Sequence, residues 1–331
     1  MIDKYKNFVS ARTPFRISFF GGGSDFPKYY NIHKGEVLSC AIDKYCYLHI
    51  KKLHPFFKYN FRICYSRIEL KKNINQIKHP TVKNVLNFLK AKNEKLEIFH
   101  QSDLPSMSGS GSSSAFTVGL LNSLSVYLNK PYKSKEKLAL DAIHVEQKLN
   151  KELVGSQDQM AVANGGINHI LFSKNKISLN KIILSSNIQS KFLDHLVMVN
   201  TVSKRLSYEI VSSYKFNDKY LNQMKKLTRE GKKILINGKN FLNFGELLNE
   251  SWFLKKKLSN EISNYKIDNI YKSALKSGAI GGKLMGAGKN GCLIFFVENK
   301  KKFIKKFFTE NQLSHIPFDI DDDGTKIIYQ R

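Results

Sequence analysis

The sequence predicts an α+β fold in two domains, and three observations carry that expectation. Runs with strand character crowd residues 9–68, helical runs fill residues 205–276, and each half holds a glycine-rich turn joined to a regular element. A chain of 331 residues has room for two domains of ordinary size or one large one, and the polar stretch at 185–190 is the candidate boundary between residues 1–187 and 188–331.

Taken in order, residues 9–20, 36–50 and 59–68 mix alternation with β-branched and aromatic side chains and read as strands. A helix is expected over 81–92, behind Pro80. Residues 95–99 alternate as a strand, and 115–128 carries Phe116, Val118, Leu120, Leu121, Leu124 and Leu128 at helical spacing. Helices are expected at 134–149 and 157–163, the second ending on Gly165-Gly166, followed by strands at 167–172 and 177–184. Beyond the boundary, 193–200 reads as a strand, three helical runs reach residue 276, and the glycine-rich stretch 278–291 feeds an apolar strand at 292–297. Asp323-Gly324 reads as a hairpin turn between 316–320 and 325–329.

The composition narrows the function classes. An apolar content of 42% suits a globular protein, and the opening Met1-Ile-Asp-Lys-Tyr-Lys-Asn7 lacks an apolar signal segment, so a cytoplasmic protein with no membrane partner is expected. Cys40, Cys46, Cys64 and Cys292 form no C-x-x-C pair and no zinc spacing, which points to free buried thiols. The formal charge of +27 raises a nucleic-acid partner. Against it, only 7 of the 54 basic residues are Arg, and the lysines are spread along the whole chain rather than gathered on one segment. Lys255-Lys256-Lys257 and Lys300-Lys301-Lys302 read as solvated helix faces. Nonspecific adhesion to polyanions at low salt is expected, and no specific nucleic acid.

Residues 103–115, Asp-Leu-Pro-Ser-Met-Ser-Gly-Ser-Gly-Ser-Ser-Ser-Ala, set glycines and hydroxyls between a strand and an apolar helix. There, glycines allow backbone N–H groups close to an anion, the helix N-terminus adds partial positive charge, and serine hydroxyls can reach phosphate or metal. This is not a P-loop, since Gly288-Lys289 is followed by Asn290 and lacks the earlier glycine. Gly286, Gly288 and Gly291 match Gly-x-Gly-x-x-Gly, but a strand-like run follows where a dinucleotide fold requires a helix. No His-Arg-Asp or Asp-Phe-Gly of a protein kinase occurs. Asp319-Ile-Asp-Asp-Asp-Gly324 opens like a calcium loop, but position 330 holds Gln330 instead of the required Glu.

Pro105-x-x-x-Gly109-x-Gly111-Ser112-Ser113-Ser114-Ala115 resembles the second motif of the GHMP kinases, the superfamily of galactokinase, homoserine kinase and mevalonate kinase. Arg12-Thr-Pro-Phe-Arg16 through Gly21-Gly22-Gly23-Ser24-Asp25 resembles the first motif, and Lys283-Leu-Met-Gly286-Ala287-Gly288 the third, in the same order. Ser110 departs from the Leu usual between the two glycines. The Gly21–Asp25 variant, with Gly155-Ser-Gln157-Asp158-Gln159, is most similar to the D-glycero-D-manno-heptose 7-phosphate kinases.

The resemblance implies the two-domain GHMP kinase fold, a ribosomal-protein-like amino-terminal domain and an α/β-sandwich carboxy-terminal one, with the active site in the cleft between them. It implies ATP as donor and phosphorylation of the anomeric hydroxyl of heptose 7-phosphate by a monomer or homodimer. Asp158 and Arg16 would be catalytic, the aspartate orienting and deprotonating the acceptor and the arginine holding it ionised. Pro105, Gly109, Ser110, Gly111, Ser112, Ser113 and Ser114 would bind ATP, and Ser113 with Glu146 would hold Mg2+. Gly22, Gly23, Ser24, Asp25, Gly286, Ala287 and Gly288 would contact substrate, and Arg205 its distal phosphate. The alternatives are a kinase of a related sugar such as fucose or galactose, a non-catalytic sugar sensor, and a basic nucleic-acid-binding protein.

Overall fold

The computed structural model describes residues 7–106, 108–201, 211–214 and 216–331. Strand β1 (Phe8–Phe20) is buried at almost every position, so it needs partners on both edges. Along one edge runs β2 (Gly35–Lys52), and along the other β12 (Lys326–Gln330), both antiparallel. The far edge of β2 serves two partners, β6 (Ile167–Phe172) against its first residues and β5 (Leu96–Ser102) against its last. Next to β6 lies β7 (Ile177–Ile182), and next to β5 lies β3 (Phe61–Cys64), in parallel, followed by β4 (Ile68–Lys71). These eight strands form the first sheet. A second, antiparallel sheet runs β11 (Ser314–Ile316), β8 (Leu196–Asn200), β10 (Cys292–Val297), β9 (Ala279–Leu284).

Several expectations change in the structure. The strand expected over 59–68 is β3 alone, and the chain turns at Tyr65, whose N–H donates to Arg67 O at 2.9 Å, before β4. The hairpin at Asp323-Gly324 does not form. Gly324 does make a turn, its N–H donating 2.6 Å to Asp321 Oδ1, but β11 joins β8 while β12 crosses to the open edge of β1. Two short helices stand where none was expected: α1 (Pro27–His33), and α6 (Ser186–Leu193), capped by Ser185 and anchored by buried Phe192.

Helix α2 (Pro80–Phe88) starts on its proline and buries Val82, Val85 and Leu86. Helix α3 (Ser112–Tyr127) is apolar on nearly all sides, and it runs through the core against β1 and β2. Helix α4 (Lys135–His144) continues into one π turn, Val145–Leu149, which bulges the expected 134–149 helix where Glu146 sits. Helix α5 (Gln157–Asn164) packs beside α3.

The second sheet is covered by α8 (Phe241–Lys256), with α7 (Asp218–Asn237) packed on α8 and reaching the first sheet. Helices α9 (Tyr265–Lys276) and α10 (Lys300–Glu310) complete that half. Two devices fix the halves together. Phe19 and Phe20 at the end of β1 meet Phe244 of α8 at ring separations of 5.3 and 4.9 Å, with Phe192 5.0 Å from Phe244. Buried Glu36 of β2 accepts from Arg229 Nε of α7 at 2.8 Å and pairs with His169 Nε2 of β6 at 2.7 Å. Burial alone would raise the Glu36 carboxyl, but these partners hold it below its usual range. All four cysteines are free and buried, and among the described residues no helix is long and apolar enough to cross a membrane.

Candidate active site

A cavity of about 210 Å³ opens where the end of β1, the first turns of α3 and α5, and the glycine-rich stretch after β9 converge. At its floor Arg16 grips Asp158 with two parallel hydrogen bonds, Nε to Oδ1 at 2.7 Å and Nη2 to Oδ2 at 2.6 Å. Its remaining terminal nitrogen donates 2.6 Å to Gly109 O, so one guanidinium joins Asp158 to the glycine-serine turn. The side chain of Arg16 is buried, while that of Asp158 keeps 23% of its surface open to the cavity. A carboxylate has about four acceptor sites, so the fork leaves room for an acceptor hydroxyl.

Three consecutive residues at the start of α5 serve two carboxyl groups and supply a third. Gln157 Nε2 donates 3.0 Å to Asp25 Oδ2, Asp158 takes Arg16, and Gln159 Nε2 donates 2.5 Å to Glu146 Oε2. Asp25 also accepts from Gly23 N at 2.9 Å. Burial, reinforced by the charge of Asp158, raises the Asp25 carboxyl above its usual range.

Gly109 and Gly111 adopt φ of 74° and 78°, in the left-handed region, and turn the chain into α3. Gly109, Gly111, Ser112, Ser113 and Ser114 all line the cavity. Ser110 and Pro105 do not: Ser110 is buried with its hydroxyl 2.5 Å from Ser108 Oγ, and Pro105 is exposed outside the cavity. Gly22, Gly23, Asp25, Gly286, Ala287 and Gly288 line the cavity as well. Ser24 is occupied internally, donating to Gly21 O at 2.7 Å and accepting from Glu36 N at 3.0 Å. Arg205, with Ser203 and Lys204, lies outside the described residues.

Glu146 is fully buried, and it is Ser114, not Ser113, whose hydroxyl reaches it, at 3.0 Å. Its Oε1 has no hydrogen-bond partner among the described residues. Burial, with the charge of Glu152 behind it, pushes this carboxyl up to about 8. An orphaned carboxylate oxygen beside serine hydroxyls is a hard-oxygen donor set, which fits magnesium.

Several cavity residues escape a reading of the sequence. Lys255 belongs to the lysine run read as a solvated face, yet it is 7% exposed and donates to Leu284 O at 2.8 Å and Gly286 O at 2.6 Å. Its place was readable: Leu248, Trp252 and Lys255 share one buried helical stripe. Lys283 opens the third motif but drew no role there; it is 2% exposed and donates to Phe19 O at 2.9 Å. Tyr214 closes one side, its hydroxyl donating 2.6 Å to Ala287 O.

A helix N-terminus offering hydroxyls and backbone N–H groups, set beside a carboxylate held by arginine, is what phosphoryl transfer to an alcohol requires. Residues 80–166 match the family described as GHMP kinases N terminal domain, and residues 224–311 match GHMP kinases C terminal. The chain belongs to the GHMP kinases. It is a sugar kinase of that family, a phosphotransferase with an alcohol group as acceptor. Over 310 residues it is 30% identical to the D-glycero-alpha-D-manno-heptose 7-phosphate kinase of Campylobacter jejuni, covering 89% of this chain and 91% of that protein. A galactokinase from Clostridium tetani is 26% identical over 67% of this chain and 66% of its own length. The crystal structure of a D-glycero-D-manno-heptose 1-phosphate kinase from Bacteroides thetaiotaomicron superposes with a TM-score of 0.79 at 23% identity, over 97% of this chain and 99% of that one.

Proposed function

We propose that the protein transfers the γ-phosphoryl group of ATP to the anomeric hydroxyl of D-glycero-D-manno-heptose 7-phosphate. The product is the 1,7-bisphosphate, a precursor of nucleotide-activated heptose for surface polysaccharide. The observation that carries the chemistry is the Arg16–Asp158 fork beside the N-terminus of α3. The substrate reading rests on the Campylobacter relative and on the Gly21–Asp25 stretch of the first motif.

In this reading the acceptor hydroxyl lies against Asp158, whose carboxylate receives its proton as the oxygen attacks the γ-phosphorus. The bond to the β–γ bridging oxygen breaks, and ADP leaves with the electron pair. An anomeric hydroxyl is more acidic than an ordinary alcohol, so positioning carries more of the rate than base strength. Arg16 keeps Asp158 oriented and adds positive charge beside the transferring group. Ser112, Ser113 and Ser114, with the α3 N-terminus, cradle the donor phosphates, while Asp25 and the Gly22-Gly23 backbone face the sugar. Ser113, which lines the cavity, and Glu146, which the neighbouring Ser114 reaches, would hold magnesium, which when bound neutralises phosphate oxygens. Residues 1–187 would supply most of the catalytic groups, and residues 188–331 would close the cleft.

The test is magnesium-dependent ADP release with heptose 7-phosphate, set beside fucose, galactose, mannose and mevalonate, in the parent protein and in Asp158→Asn. Turnover with the heptose phosphate alone, lost in the variant, is expected. Turnover of a free sugar in its place would overturn the substrate assignment and leave the sugar kinase.

A further inference from the structure

Three cationic side chains and two carboxylates line the cavity, and they are not evenly matched. Arg16 and Asp158 satisfy each other. Asp25 takes its hydrogen bonds from Gly23 and Gln157. That leaves Lys255 and Lys283, whose hydrogen-bond partners among the described residues are all main-chain carbonyls: Leu284 O and Gly286 O for the first, Phe19 O for the second. An ammonium group has three donors, so Lys255 keeps one unused by these bonds and Lys283 two. A buried ammonium without a carboxylate is costly, and two in one cavity are costlier still. The carbonyls that hold them belong to the end of β1, just before Gly21, and to the start of the third-motif turn. The lysines therefore stand where the sugar-side and donor-side glycine segments converge.

We propose that Lys255 and Lys283 together form an oxyanion site for a phosphate group, either the terminal phosphate of the donor or the phosphate that the acceptor carries. This rests on the kinase reading and adds to it the groups that recognise phosphate charge from the second half of the chain. Without a bound anion, burial and the Arg16 charge pull Lys283 down to about 7, the nearby Asp25 charge opposing them only in part. Burial and the charges of Lys283 and Arg16 hold Lys255 well below its usual range, against the opposing pull of Asp25. A phosphate supplies the missing counter-charge, and protons enter with it.

Calorimetric titration at pH 8 tests this, with a non-hydrolysable ATP analogue, ADP, heptose 7-phosphate and the unphosphorylated heptose, each in two buffers of different ionisation enthalpy. The parent protein is expected to take up about one proton with the phosphate ligand held at the site. Lys283→Gln and Lys255→Gln are expected to weaken that ligand on the order of 10- to 100-fold, and Lys283→Arg to recover part of the loss. Weakened ATP analogue with unchanged ADP assigns the site to the donor's terminal phosphate. Weakened heptose 7-phosphate with unchanged heptose assigns it to the acceptor's. Parent binding without proton uptake, together with glutamine variants that bind every ligand as tightly, would reduce both lysines to braces for backbone carbonyls and overturn the proposal. A parent that binds no nucleotide would instead sink the kinase reading and this site with it. Should Lys255→Gln fail to fold, Lys283→Gln and the parent's proton uptake decide the matter.

Discussion

Gly286→Ala is expected to injure nucleotide binding by prying two turns apart. The glycine-serine turn and the third-motif turn touch through bare backbone: a Cβ on Gly286 would stand 2.6 Å from Gly109 Cα and 3.2 Å from Gly109 O. Carbon atoms prefer roughly 3.5–4.0 Å, so the turns would have to separate by about 1 Å. Gly286 also holds φ of 65°, where a side chain costs about 1–2 kcal/mol. Overpacking adds about 1–3 kcal/mol, for a total of roughly 2–5 kcal/mol. Gly278→Ala is the control without the contact, because at φ of 108° it bears at least as much backbone strain but has no atom within 4 Å of the place its methyl group would take. The assay is urea unfolding of both variants beside their KM for ATP. Both variants should lose stability, but only Gly286→Ala should raise KM for ATP, roughly 5-fold or more, a factor worth about 1 kcal/mol. An unchanged KM in both would refute the idea that contact between the turns shapes the donor site.

Asp158→Asn should lower kcat by about 10²- to 10⁴-fold while KM for ATP moves little, as measured in the ADP-release assay. For Glu146 the folded carboxyl lies near 8 and its ordinary value is 4.5, so the folded state holds the extra proton. Metal-free stability should therefore fall as pH rises from about 4.5 to about 8, and Glu146→Gln should flatten that slope in denaturant titrations. Phe244→Ala, which empties the aromatic junction between the halves, should cost about 3–5 kcal/mol in chemical unfolding; a loss under about 1 kcal/mol would mean the junction collapses to fill the space.

The parts of the site legible in the sequence were those whose chemistry is local. Gly109, Gly111 and the three serines announce a left-handed turn feeding a helix at the cavity because turn, hydroxyls and helix start are contiguous. The three motifs also carried the fold, since their order matches the family to which both halves of the chain belong. Lys255 escaped because a run of three lysines looks like a wet surface until helix phase is counted from Trp252. The service of α5 to Asp25 and Glu146 escaped because Asp25 is 132 positions away and the Glu146 contact depends on how two helices pack. The partner of β12 escaped because alternation declares a strand without naming what it pairs with, and the open edge of β1 competed successfully with the nearer residues 316–320.

That last pairing has a consequence for how the protein is made. Thr13 and Thr325, 2.8 Å apart between hydroxyls, are separated by 312 positions, so one edge of β1 stays bare until that much further chain has been made. At roughly 5–20 residues per second that interval lasts roughly 15–65 s. Throughout it, a nascent chain displays an unpaired apolar strand edge, a template for wrong partners as well as the right one. Folding in the cell therefore hangs on a short segment translated some 312 residues after the strand it completes, and stalled or clipped products lacking it should be the species that chaperones and proteases encounter first.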